Sequence, residues 1–317
     1  MATVSAEITR LLRERDSRIL SGSAALRGLL TEVKSQIIGE LAAARGESYT
    51  ALYLRSHLKS IEGYLAGFES AGTAEMARLL DVAWDEGGEL PFAALRAGGL
   101  GYGFGHLPAT VLEVMREYSF HKIRGLASGA FDKIRGELSL GVLGQKTPGQ
   151  VVDAISGSLT SPGVFRSIEE RAEVIATTEM GRVFSTATQE GMTQASRSVP
   201  GLKKQWWHAG HPSMPRQSHL ALHGQIKPVD EPFMTGSLVM MFPRDPKAPA
   251  SEVIRCGCDH VPWHDNWNRD FQALPIFNQR GEEIARRGPL SGKDPILTGK
   301  FDLGRLRPGA TQGSKKP

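Results

Sequence analysis

Cysteine is scarce in this chain: two residues in 317, Cys256 and Cys258. That number cannot build a disulfide framework, so the expected setting is a reducing compartment. Long apolar runs are missing as well. None approaches the roughly 18–20 residues needed to span a bilayer, and no membrane partner is expected. Charge of one sign is not in large excess, since 38 Lys+Arg face 34 Asp+Glu for a formal net charge of +4. With 40% apolar and 23% charged residues, collagen-like, coiled-coil-only and fully disordered chains are excluded. The first twenty residues are amphipathic and include acidic side chains. They read as neither a secretory signal nor a transit peptide, so a soluble, cytosol-made protein is expected.

What is present falls into three stretches: a helical domain over 1–160, a mixed module over 161–270 and a basic Gly/Pro-rich tail or docking arm over 271–317. The expected fold class is α+β, a mostly helical first half followed by a small mixed α/β module with short strands. Residues 280–317 hold nine basic against four acidic residues, a composition suited to touching nucleic acid or an acidic surface. Within the first stretch, Ile8, Leu11, Leu12, Arg15 and Ile19 fall on one helical stripe and Leu26, Leu29, Leu30, Val33, Ile37 and Leu41 on the next. Thr73 reads as the N-cap of a helix over 74–86, with Gly87-Gly88 as its stop. The glycine-crowded stretch 97–105 reads as a hinge or long loop. It is no phosphate cradle, because no strand precedes it and no Lys-Ser/Thr follows. A short helix is expected over 147–159 with Pro148 in its first turn, and a long one over 167–197 opened by a Ser167/Glu170 capping box.

Past Pro200 helical periodicity gives way to short runs at 203–208, 237–242 and 252–257 that read as strands. Trp206, Trp207, Trp263 and Trp267 read as core, each able to remove roughly 200 Å² from water. Six of the nine histidines and both cysteines lie between 208 and 264, so any chemistry is expected there. Two thiols two residues apart share a face of a strand, and the Gly257 between them permits a bend that aims both at one ion. Zinc in a structural site takes four nitrogen or sulfur ligands. His219 and His223, four residues apart, would share one face of a helical turn. The expected metal set is His219, His223, Cys256 and Cys258, with zinc as the ion; His208, His211, His260 and His264 are further candidates. The plainer alternative is that the cysteines are reduced core residues and the histidines satisfied polar groups. A metal-dependent hydrolase, a nuclease or protease using His219, His223 and Asp230, Glu231 or Asp259, is the catalytic alternative. No Glu follows the first His as in a metalloprotease helix, and no nucleophile elbow, Walker loop or dinucleotide fingerprint occurs.

Five pieces occur in order: Arg171-Ala-Glu-Val-Ile-Ala-Thr-Thr-Glu179, Lys203-Lys-Gln-Trp-Trp-His208, Arg216-Gln-Ser-His219 with Gly224-Gln225, Met241-Phe-Pro-Arg-Asp245 with Pro249, and Glu252-Val-Ile-Arg-Cys256-Gly-Cys258. This order resembles the minor head, or head morphogenesis, proteins of tailed bacteriophages typified by protein F of phage Mu, over about residues 165–260. Where that family usually has Asp before Gly-Gln this chain has His223, and Gly257 stands where Arg separates the cysteines. The resemblance carries His219, Cys256 and Cys258 over as site residues and makes Arg171 and Glu179 scaffold residues on one helix. It implies a minor capsid protein without catalysis, located in the virion at the head or portal. Its implied partners are the portal protein and the major capsid protein, with phage DNA reached through the basic tail.

Overall fold

The computed structural model describes residues 3–43, 51–100, 105–156, 164–208, 216–267, 274–277 and 283–287. The fold is α+β. Five helices, α1 (Val4–Ala43), α2 (Ala51–Ala97), α3 (Ala109–Val142), α4 (Pro148–Ser156) and α5 (Val164–Ser196), precede the strands. Then follow β1 (Lys203–His208), α6 (Gln217–Leu222), β2 (Ile226–Pro228), β3 (Phe233–Thr235), β4 (Leu238–Met240), α7 (Ala250–Val253), β5 (Cys258–Trp263), β6 (Leu274–Phe277) and β7 (Glu283–Arg287). By its contacts the chain divides into two units, residues 16–83 with 108–180, and residues 1–15 with 84–107 and 181–317.

The first unit is helical and its interior is apolar. Leu26, Leu30, Ile37, Ile61, Leu80, Ile123 and Ile134 are fully buried, at the three- and four-residue spacings of the sequence stripes. Each contributes about 1.5–3 kcal/mol by leaving water. Close approach requires small residues at particular places: a Cβ on Gly22 would stand 2.8 Å from Leu79 Cδ2 and 3.0 Å from Met180 Sδ. α4 opens on a reciprocal cap, in which Thr147 N–H donates to Gln150 Oε1 and Gln150 N–H donates to Thr147 Oγ1.

Two helix boundaries differ from the sequence expectation. The helix expected to stop at Gly87-Gly88 runs on to Ala97, straight through Pro91. Pro91 has no N–H to give the carbonyl of Gly87 four residues earlier. Thr188 Oγ1 of α5 stands 2.9 Å from that carbonyl oxygen and supplies the missing donor. A Cβ on Gly87 would collide with the Phe184 carbonyl, so the glycine serves close helix packing and not termination. The long helix expected from Ser167 begins at Val164, which puts Ser167 inside it. Residues 101–104 of the glycine-crowded stretch lie outside the described residues.

In the second unit, β1 is the centre of a three-stranded antiparallel sheet of order β2-β1-β5. Lys203 pairs with Trp263, Trp206 with His260 and His208 with Cys258. Trp206 is fully buried and packs with Leu222, Phe233, Met240 and both cysteines, while Trp263 and Trp267 are buried and Trp207 is partly so. The strand expected over 252–257 is instead the end of α7 and a turn, and β5 starts at Cys258. Most of the expected tail lies outside the described residues, but it does contain a hairpin, β6 paired with β7.

The unit's interior carries charge. Arg15 of α1, 1% exposed, donates to the buried Asp259 carboxylate of β5. Arg244, held in the left-handed region at φ 65°, donates from Nη1 to Asp259 Oδ1 (3.4 Å), to the Gly181 carbonyl (3.0 Å) and to Ser185 Oγ (2.8 Å). Its Nε donates to the Cys256 carbonyl at 3.0 Å. One acidic group thus satisfies two guanidiniums drawn from opposite ends of the sequence.

Candidate metal centre

The residues leading to the site are fixed by backbone and side-chain bonds around β1. Gly224 N–H donates to the Trp206 carbonyl and Trp206 N–H donates to the Gln225 carbonyl, both at 2.9 Å. The Gln225 amide then clamps Met234 of β3, accepting from its N–H and donating to its carbonyl at 3.1 Å each. Asp245 accepts from Met241 N–H at 2.8 Å and Lys247 N–H at 2.9 Å, closing the turn that presents Arg244. The Gly224-Gln225 and Met241–Asp245 pieces of the sequence are therefore turn-builders around the centre.

At the centre, His219 Nδ1 of α6 lies 3.4 Å from Cys256 Sγ and 3.6 Å from Cys258 Sγ, and the three donor atoms all fall within 4.8 Å of one another. A tetrahedral zinc with Zn–S of about 2.3 Å and Zn–N of about 2.0–2.1 Å requires S···N edges of about 3.5–3.6 Å. The observed edges match. The two cysteines converge because Arg255 takes φ 55°, turning the chain immediately before Cys256. The bend was expected at Gly257; it lies two residues earlier.

His219 is oriented from behind. Its Nε2–H donates to Glu252 Oε2 of α7 at 3.0 Å, which leaves the Nδ1 lone pair aimed at the sulfurs. Glu252 is itself held by Ser218 Oγ at 3.4 Å and Arg216 Nε at 3.9 Å. A carboxylate behind a metal-facing histidine is the usual outer partner in zinc sites. The thiols are electrostatically unlike. The hydrogen bond from Cys258 and the Arg244 charge hold Cys256 well below the ordinary thiol range, whereas burial and the neighbouring Cys256 push Cys258 well above it. Binding of a divalent ion would displace the thiol protons. Cys256, Cys258 and His219 are 7%, 1% and 2% exposed. The donor set fits a buried zinc ion held by His219, Cys256 and Cys258, where the metal would supply cross-linking of α6 to β5.

His223 does not join this group. α6 ends at Leu222, and His223 leaves the helix with ψ 123°, so the four-residue spacing no longer places it beside His219. Its Nδ1 instead accepts the backbone N–H of His208 at 2.9 Å. His208 Nδ1 lies 3.4 Å from Cys258 Sγ. His264 is engaged locally, with Nε2 3.1 Å from the Pro200 carbonyl, and His260 is stacked on Phe242. His211 lies outside the described residues. Of the carboxylates considered for hydrolysis, Asp230 and Glu231 are exposed and Asp259 is held by the two arginines. Arg171 is exposed, whereas Glu179 is buried near Lys122.

Sequence reasoning missed Glu252, Arg15 and Arg244. The available signals were a charged residue inside the first apolar stripe for Arg15 and a carboxylate four residues before Cys256 for Glu252.

Comparison with known proteins agrees with the order of these pieces. Residues 147–261 match the family model described as Phage Mu protein F like protein. A stretch of 121 residues is 35% identical to the uncharacterized protein YqbB of Bacillus subtilis (strain 168). That match covers 37% of this chain, and the chain spans 37% of the relative's length. No solved structure matches. The segment 147–261, which includes β1, α6 and both cysteines, is thus similar to Phage Mu protein F like protein.

Proposed function

We propose that the chain is a minor capsid protein of a tailed bacteriophage, acting in head morphogenesis with the portal and major capsid proteins and holding one structural zinc. The family similarity over 147–261 supports the head-assembly reading. The observation that carries the non-catalytic part is the burial of the donors. His219, Cys256 and Cys258 are packed among Trp206, Leu222, Phe233 and Met240, so a substrate would have to displace core side chains to reach the ion. Catalytic zinc keeps a position open to water, whereas structural zinc is closed by protein ligands. No described helix is long and apolar enough to cross a membrane, which accords with a place in the virion. The nine basic residues of 280–317 are the part proposed to touch phage DNA.

Coexpression of the full chain with the cognate portal and major capsid proteins tests this. Assembled heads should retain the chain at a few copies each, and the zinc-loaded protein should leave nucleic acid and peptide substrates intact. Deleting residues 280–317 should remove salt-sensitive DNA affinity without removing the chain from heads. Turnover that disappears in His219→Ala would overturn the proposal in favour of the hydrolase.

A further inference from the structure

We infer that His208 is the fourth ligand, closing the centre as a site of two cysteines and two histidines; this rests on the metal reading above. Three donors leave a tetrahedral zinc one ligand short, and the identity of the fourth decides between a structural and a catalytic ion. His208 is the last residue of β1 and pairs directly with Cys258 of β5, so the two side chains rise from the same face of the sheet. Its Nδ1 stands 3.4 Å from Cys258 Sγ, the same edge length that His219 Nδ1 makes with Cys256; it lies outside the His219, Cys256 and Cys258 set whose donors fall within 4.8 Å of one another, so binding an ion would draw the ring inward. Cys258 therefore has an imidazole nitrogen at zinc-edge distance on each of two elements, β1 and α6. His208 is 1% exposed, so its nitrogen competes with no bulk water for the position.

His223 takes a different role. By accepting the His208 backbone N–H at 2.9 Å, it fixes the end of β1 and with it the height from which the His208 ring is presented. It is a positioning residue. The sequence placed His223 among the ligands because of its spacing from His219; the fold exchanges it for His208, fifteen residues away and on another element.

The full chain loaded with Co2+ and with Zn2+ under reducing conditions tests the assignment. X-ray absorption should give two sulfurs and two nitrogens around one zinc, and cobalt should show intense tetrahedral bands. His208→Ala should replace one nitrogen by oxygen and weaken binding by more than the roughly 10–100-fold typical of an outer partner, with His223→Ala staying within that range. His208→Cys should give a three-sulfur shell and raise the sulfur-to-cobalt charge-transfer intensity by about half, for three thiolates in place of two. This variant retains a ligand, so it reads the site even if His208→Ala does not fold. A wild-type chain that takes up no ion overturns the metal reading itself. An ion bound by wild type whose shell stays at two sulfurs in His208→Cys, with unchanged affinity, overturns only the assignment of His208.

Discussion

Among the described residues, the interior built by 16–83 and 108–180 is apolar apart from Ser23, Ser119, Thr178 and Glu179, whereas that of 1–15, 84–107 and 181–267 buries Arg15, Lys204, Arg244, Asp259 and four histidines below 4% exposure. The difference follows from backbone chemistry. Long helices satisfy their own N–H and C=O groups, so their side chains need only exclude water. The strands after Pro200 are three to six residues long and are joined by turns, which leaves carbonyls and N–H groups that side chains must meet. Arg244 answers one such carbonyl, that of Cys256, and Gln225 a strand's N–H and C=O. An apolar interior tolerates rearrangement among similar side chains, but a network of this kind accepts one arrangement.

The sharpest way to separate the two regions is to withhold the zinc proposed for the second. Apparent binding energies of structural zinc reach about 10–16 kcal/mol in small domains. Chelation, or Cys258→Ser, should abolish hydrogen-exchange protection across residues 203–267 while leaving that of 16–83 and 108–180 near its original level. Equal loss in both regions would erase the distinction. Next in size is Asp259→Ala, which strands the Arg15 and Arg244 guanidiniums in the interior; a cost of about 3–5 kcal/mol is expected in denaturant melts. Ile123→Ala probes the apolar region and should cost about 2–5 kcal/mol without dependence on pH between 6 and 10.

The last effect is one of sign. Burial lowers the Lys204 pKa from its ordinary 10.5 to about 7, against the opposing pull of Asp230, Asp245 and Glu231. Its ammonium donates to Gln189 Oε1 and the Met241 carbonyl, and it lies over the Phe233 ring. Between pH 7 and 10.5 the unfolded chain binds the more protons at this residue, so its contribution to stability rises with pH across that window and is least below pH 7. The stability difference between Lys204→Met and wild type should therefore favour the variant most near pH 6 and fall steadily towards pH 10. A difference independent of pH would mean that folded and unfolded Lys204 bind the proton equally, with no shift caused by burial.

Much of this contrast was legible in the sequence. The stripes through Leu26, Leu30 and Ile37 name the buried face of α1, and the change of character after Pro200 marks where strands begin. The closeness of Cys256 and Cys258 followed from ligand type and short spacing, whereas His219, 37 residues before Cys256, was named from its spacing to His223 and from the resemblance. Three things were not readable. Gly87 resembles a stop signal, and only the contact with Phe184 shows it to be a packing site. The exchange of His223 for a position beside His208 depends on where α6 unwinds, a matter of one residue. The partner of Arg15 is 244 residues away, and no local pattern can identify it.

The most direct measurement is the native mass of the full chain purified from cells without added metal. One zinc per chain is expected, reduced to none in the Cys256→Ser, Cys258→Ser double variant together with a lower melting temperature. A metal-free wild-type chain that melts at the same temperature as the double variant would contradict the account.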